Sequence, residues 1–182
     1  MSKSTLPKWA TISREERFFT STLFHDMQSN YKPILSNIIQ KLVLPIQTEM
    51  LDIGYEVCFF RDLTIKGLVE RQRAMEKQTF DLMLTLSGEH IVIIEAKAQQ
   101  GFHSEQMEML KEAKMLMIAS AIWPFKKVHL IALCSSKYRP SKNTQKYFEA
   151  FYTWTEISQL YPDNSIIYNR ADSIYSDKRK PI

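Results

Sequence analysis

Phe80-Asp-Leu-Met-Leu-Thr-Leu-Ser-Gly-Glu-His-Ile-Val-Ile-Ile-Glu-Ala-Lys97 is the stretch whose reading decides the fold. Phe80 to Leu86 reads as a strand. Ser87-Gly88-Glu89 reads as a turn. Ile91 to Lys97 reads as a second strand, and its first four residues are all Ile or Val. Such a run implies burial on both faces, hence a central place in a sheet. Three charged residues lie at the outer ends of this hairpin: Asp81 at the start of one strand, Glu95 and Lys97 at the end of the other. A carboxylate inside an apolar strand is costly unless it is paired or bound to metal.

Glu95 and Lys97 are two apart, so they share one strand face, about 6–7 Å from each other. Whether Asp81 joins them depends on register. A two-residue turn sets Asp81 opposite Ala96, on the wrong face. A three-residue loop, Ser87-Gly88-Glu89, pairs Leu86 with His90 and sets Asp81 opposite Glu95. Glycine is what such a loop wants where φ is positive, so the three-residue loop, or an equivalent bulge, is expected.

Downstream, Ser104 to about Ile122 reads as a helix, with Gln106, Leu110, Ala113, Met117 and Ala121 on one face. Pro124 closes it, and Val128 to Cys134 is another continuous apolar strand. The strand–helix–strand unit is expected to be a parallel, right-handed crossover. Lys137 to Lys146 reads as a polar, basic loop. Phe148 to Thr155 reads as an aromatic-rich strand, Glu156 to Leu160 as a helical turn, and the chain from Asn169 as a polar, loose tail. Upstream, Ser13 and Glu16 have capping-box spacing. They open a helix to about Gln28 with the stripe Phe19, Leu23 and Met27. Pro33 starts a second helix, which Pro45 ends. Tyr55 to Phe60 reads as a strand, and the mixed, charged segment from Arg61 to Gln78 has no clear assignment. The order predicts an α/β fold, a mixed central sheet flanked by helices.

The chain has 182 residues, which suits one domain over 1–182 with short polar tails at both ends. Four isolated glycines exclude a glycine-rich phosphate loop. Cys58 and Cys134 sit in apolar runs without zinc spacing and read as buried free thiols. The first ten residues have no apolar core of a signal peptide, and no apolar run approaches the roughly 20 residues of a membrane span. A cytoplasmic protein with no membrane partner is expected. The net charge of +4 is compatible with a polyanionic partner.

Two carboxylates on one face make an oxygen-rich site suited to Mg²⁺ or Mn²⁺, to which the Ala96 carbonyl can add a ligand. A metal held there polarises a phosphodiester and acidifies a bound water. Lys97 beside it can orient that water or stabilise growing negative charge. This set resembles the PD-(D/E)xK nuclease superfamily, also called restriction-endonuclease-like, in Asp81 followed by Glu95-Ala96-Lys97 on strand–turn–strand–helix. Phe80 stands where a proline often precedes the aspartate. The resemblance covers the domain in element order, whereas the specific residues span only about 17 positions. It implies a restriction-endonuclease-like core and a Mg²⁺- or Mn²⁺-dependent nuclease, in the endonuclease mould, acting on nucleic acid, mainly DNA. It further implies a glutamate from the first helix, Glu16 or next to it Glu15, and a glutamine on the helix after the motif, Gln106. Symmetric cutting of two strands would favour a homodimer. A catalytically silent binding module on the same fold, or an accessory subunit, is the alternative.

Other residues have plainer readings. Glu16 also fits as the capping partner of Ser13, and Gln106 as a polar residue at a helix start. His25, His90, His103 and His129 lack metal-ligand spacing, though His103 lies near the motif. Arg71, Arg73, Lys137, Arg139 and Lys142 are candidate phosphate contacts or ordinary solvated charges. Met107, Met109, Met115 and Met117 read as core packing.

Overall fold

The computed structural model describes residues 10, 15–68, 70–71, 77–120 and 125–176. The elements in chain order are α1 (Glu16–Ser29), α2 (Lys32–Leu42), β1 (Met50–Val57), α3 (Phe59–Ile65), β2 (Phe80–Leu86) and β3 (His90–Ala96). There follow α4 (Ser104–Ala119), β4 (Lys127–Cys134), α5 (Lys142–Gln145), β5 (Ala150–Thr153), α6 (Trp154–Leu160), a 3₁₀ turn (Pro162–Asn164) and α7 (Ser165–Ser173). The five strands form one sheet in the order β1-β2-β3-β4-β5. β1–β2 and β2–β3 are antiparallel, while β3–β4 and β4–β5 are parallel. The expected α/β class and mixed sheet are therefore present, with β3 central.

Alternate residues of β3 feed two cores. Val92 and Ile94 pack with Phe19, Leu23 and Met27 of α1, with Ile34 and Ile38 of α2, and with residues of α6 and α7. Ile91 and Ile93 pack with Leu110, Ala113 and Met117 of α4 and Phe59 and Phe60 of α3. All seven residues of β3 are buried, as its unbroken apolar run demands. The helical period also divides the methionines. Met107 and Met117 are buried, but Met109 and Met115 are exposed, so only half of that stretch is core.

The hairpin has the expected register. Leu86 pairs with His90 and Leu82 with Ile94. Gly88 (φ 74°) and Glu89 (φ 64°) supply the left-handed residues that the three-residue loop needs. Continuing the register by one residue sets Asp81 opposite Glu95.

Four readings are corrected. The strand expected over Tyr55–Phe60 lies earlier, at Met50–Val57, and Phe59 and Phe60 open α3 instead. Two adjacent aromatics mimic a strand, yet both are buried here on a helix too short to show a period. The strand expected to reach Thr155 stops at Thr153, because Thr153 and Glu156 form a complete capping box that starts α6 at Trp154. The Lys137–Lys146 loop carries the short helix α5, N-capped by Ser141. Residues 169–173 form no loose tail but complete α7, where Tyr168, Ala171 and Asp172 are buried, and residues 177–182 lie outside the described residues. Asp172 accepts from the Ser136 amide (2.7 Å) and hydroxyl (2.6 Å), tying α7 to the end of β4. Ser13, Arg73, Ala121, Ile122 and Pro124 lie outside the described residues. Cys58 and Cys134 are free and buried. Among the described residues no helix is long and apolar enough to cross a membrane.

The turn from β3 into α4 is tightly packed. A Cβ on Gly101 would stand 2.4 Å from Tyr138 Cε2. Gly101→Ala is therefore expected to destabilise the fold by about 1–3 kcal/mol through overpacking. A melting curve should show a Tm lower by roughly 2–12 °C.

Candidate active site

The site forms where β2 and β3 part. Main-chain pairing of these strands ends at Leu82 and Ile94. Beyond it, Asp81 Oδ2 accepts the Ala96 N–H at 2.8 Å, so a side chain takes the rung that the β2 backbone gives up. Lys97 turns towards the other neighbour, its N–H bonding Leu133 O of β4 at 2.7 Å. Trp154 Nε1 donates to Lys97 O at 3.0 Å and pins the strand end from α6.

The Lys97 ammonium is the hub. It donates to Glu95 Oε1 (3.1 Å), Glu16 Oε1 (3.2 Å) and Ala96 O (2.8 Å). It also sits 5.9 Å from the centre of the Phe102 ring, within cation–π range. Glu16 opens α1, and its other oxygen accepts the Ala98 N–H at 3.0 Å. Its carboxylate thus bridges α1 to the end of β3 rather than capping its own helix. The helix N-cap is Glu15, which makes no side-chain cap bond. Gln106, in the first turn of α4, donates through Nε2 to Glu95 Oε1. All five predicted side-chain residues are therefore brought together, with Ala96 O among them.

Their electrostatics are strained. Glu95 is 3% exposed and Lys97 6%. Burial first, then repulsion from Asp81, raises the Glu95 carboxyl above its usual range, against the pull of Lys97. Burial likewise lifts Asp81 to about 6, opposed by Lys97 and the Ala96 N–H and reinforced by Glu16 and Glu56. For Lys97, burial alone would lower the value, but Glu95, Glu16 and Asp81 together hold it above the ordinary lysine range. Glu95 Oε2 is buried and has no hydrogen-bond partner among the described residues. An unpaired buried carboxylate oxygen is expensive unless a proton or a cation meets it.

An oxygen donor set suits a hard divalent cation. The described residues include no ready group of three His, Cys, Asp or Glu side chains for one. A cation here would rest on Asp81, Glu95 and the Ala96 carbonyl, with water completing the shell. The partnerless Glu95 Oε2 fits that set.

A pH prediction follows from Asp81. Its folded value of about 6 lies above the ordinary 3.8, so the protonated form is favoured by folding. That contribution is fully present below the ordinary value and is lost as pH rises through about 6. In chelator, Asp81→Asn is expected to melt above the parent at pH 8, and the gap should narrow below about 6 and close only as pH falls past 3.8. Melting curves across that range provide the check.

The remaining candidates lie apart. His103 is the exposed N-cap of α4 and makes no side-chain cap bond. His90 and His129 start β3 and β4 at the opposite strand ends. His90 Nδ1 lies 2.9 Å from His129 Nε2, and His129 Nδ1 lies 2.6 Å from Glu149. Arg71, Lys137, Arg139 and Lys142 are exposed. Lys137 and Arg139 donate to main-chain carbonyls of Ser173 and Ser136.

Sequence reasoning missed two neighbours. Trp154 was read only as part of a strand. Glu56 falls level with Asp81 on the neighbouring strand, since Tyr55 pairs with Leu82 and Val57 with Phe80. Only Gly54, two residues earlier, hinted at anything irregular in that strand. No protein-family model, curated protein or solved structure matches this chain.

Proposed function

We propose that this site hydrolyses phosphodiester bonds in nucleic acid, with DNA as the first substrate to test, using Mg²⁺ or Mn²⁺. One observation carries the reading. Glu95 at the end of β3 and Glu16 at the start of α1 both bond the Lys97 ammonium, Asp81 stands opposite Glu95 on the neighbouring buried strand, and Glu95 Oε2 is left without a partner among the described residues. Such a cluster has excess negative charge, which a divalent cation would balance.

The bound cation supplies Lewis-acid polarisation of the phosphodiester and a more acidic water. Asp81, Glu95 and the Ala96 carbonyl would hold it. Gln106 fixes Glu95 Oε1, which keeps the other oxygen available. Lys97 stands beside these groups to orient the attacking water or to offset negative charge growing on the phosphate. Glu16 holds the ammonium in place from α1. The combination matches what PD-(D/E)xK nucleases use, and the restriction-endonuclease-like core belongs to the same proposal. The net charge of +4 agrees with a polyanionic substrate. Action in the cytoplasm, and a homodimer where two strands are cut symmetrically, complete it.

A second reading has one observation in its favour. Lys97 already bonds Ala96 O and two of the carboxylates, so part of the site is satisfied internally. A binding module on the same fold, or a subunit awaiting a partner, would suit such a self-paired cluster. Incubating the purified chain with plasmid and single-stranded DNA in Mg²⁺, Mn²⁺ or chelator separates the two. Cation-dependent cleavage supports the nuclease. Metal uptake without cleavage points to the subunit, and neither points to the binding module.

A further inference from the structure

Three described residues other than glycine have a left-handed φ: Val43 (53°), Glu89 (64°) and Glu56 (51°). Two have local reasons. Val43 is the C-cap of α2, and Glu89 closes the β2–β3 loop. Glu56 has none, because it lies inside β1, flanked by paired residues on both sides. A strained non-glycine residue persists only where its surroundings impose it, and such residues concentrate at functional sites. The surroundings have been adapted. Val57 Cγ2 lies 2.4 Å from where a Cβ on Gly54 would be, so the kink at Glu56 needs glycine at 54.

The strained residue is an acid, and its charge falls on an acid. Glu56 stands opposite Asp81 in the β1–β2 register, and Asp81 in turn stands opposite Glu95. Carboxylates thus occupy one row across three neighbouring strands. The ion-pair partner of Glu56 is Arg17 at 3.2 Å, whose side chain is 78% exposed. The Glu56 side chain itself is only 25% exposed, and a largely solvated guanidinium offsets its charge only in part. Strain and like-charge crowding both weigh against Glu56 in the protein alone, while the buried Glu95 Oε2, two strands away, has no hydrogen-bond partner among the described residues.

We propose that Glu56 is a positioning residue of the cation site, a carboxylate whose charge strengthens the hold of Asp81 and Glu95 on a divalent ion. This rests on the cation-dependent reading above. It separates function from stability in a way an ordinary structural residue does not. Glu56→Gln keeps the shape and removes the charge, whereas Glu56→Gly also relieves the backbone.

The test is calorimetric titration of Mn²⁺ into the parent, Glu56→Gln, Glu56→Gly and Glu56→Asp, with melting curves of each in chelator. The expected result is Mn²⁺ affinity about 10–100-fold weaker in the Gln and Gly variants and largely kept in the Asp variant. Melting in chelator should be unchanged or higher for both Gln and Gly. Parent-like Mn²⁺ affinity in Gln and Gly would overturn the role of Glu56 and leave the cation site standing. Melting points that fall together with affinity would mark Glu56 as merely structural. A parent that takes up no Mn²⁺ would sink the cation reading itself, and Glu56's role with it.

Discussion

Lys97→Met is expected to lose cleavage by about 10²–10³-fold or more and to destabilise the protein by about 3–5 kcal/mol near neutral pH. The ammonium meets Glu95, Glu16 and the Ala96 carbonyl in a site where Glu95 and Lys97 are almost wholly buried. Methionine fills much of the same volume but leaves the Glu95 carboxylate without its counter-charge, and stranding a buried charge costs far more than the pair contributes. The sign with pH is fixed. Without Lys97, the Glu95 carboxyl rises further above its usual range, so the folded state gains by holding a proton there. The loss should therefore be largest at alkaline pH and shrink as acid supplies that proton. Urea denaturation above about pH 9 and at about pH 5 checks this. An equal loss at both would show that packing, and not the stranded carboxylate, sets the penalty.

Trp154→Ala is expected to cost about 3–5 kcal/mol, a large share of the stability of a domain this size. Trp154 is fully buried and lies parallel to Tyr168 of α7, their ring centres 6.2 Å apart. Its other neighbour is Phe19 of α1 at 6.0 Å, and its indole N–H holds Lys97 O. One side chain therefore joins the C-terminal helices, the helix bearing Glu16, and the strand end bearing Lys97. Trp154→Phe keeps most of the ring but drops the N–H. It should lose far less stability while leaving Lys97 O unsatisfied, at about 1–3 kcal/mol. Chemical denaturation of both variants separates packing from the hydrogen bond. Similar losses in the two would contradict this division.

What was legible in the sequence follows from which rules act locally. The hairpin was readable because strand period is two and glycine marks left-handed backbone, so Gly88 fixed the register of Asp81 against Glu95. The burial of β3 was readable from composition alone. Glu16 and Gln106 came from resemblance, and their contacts with Lys97, Ala98 and Glu95 depend on how helices α1 and α4 dock, which no local pattern encodes. α3 and α7 were misread for opposite reasons. Phe59-Phe60 looks like strand but packs as the first turn of a helix, and the polar residues of α7 hide a buried face of Tyr168, Ala171 and Asp172. Glu56 was illegible because a left-handed glutamate inside a strand contradicts propensity. Local rules fail where tertiary structure imposes strain.

The measurement that bears most directly on the central claim is DNA cleavage in Mg²⁺ and Mn²⁺ by the parent beside Asp81→Asn, with melting curves to establish that both are folded. Cation-dependent cleavage by the parent is expected, and its loss in a variant that melts no lower. A fully active, folded Asp81→Asn would contradict the central claim, and so would a folded parent that neither binds these cations nor cuts.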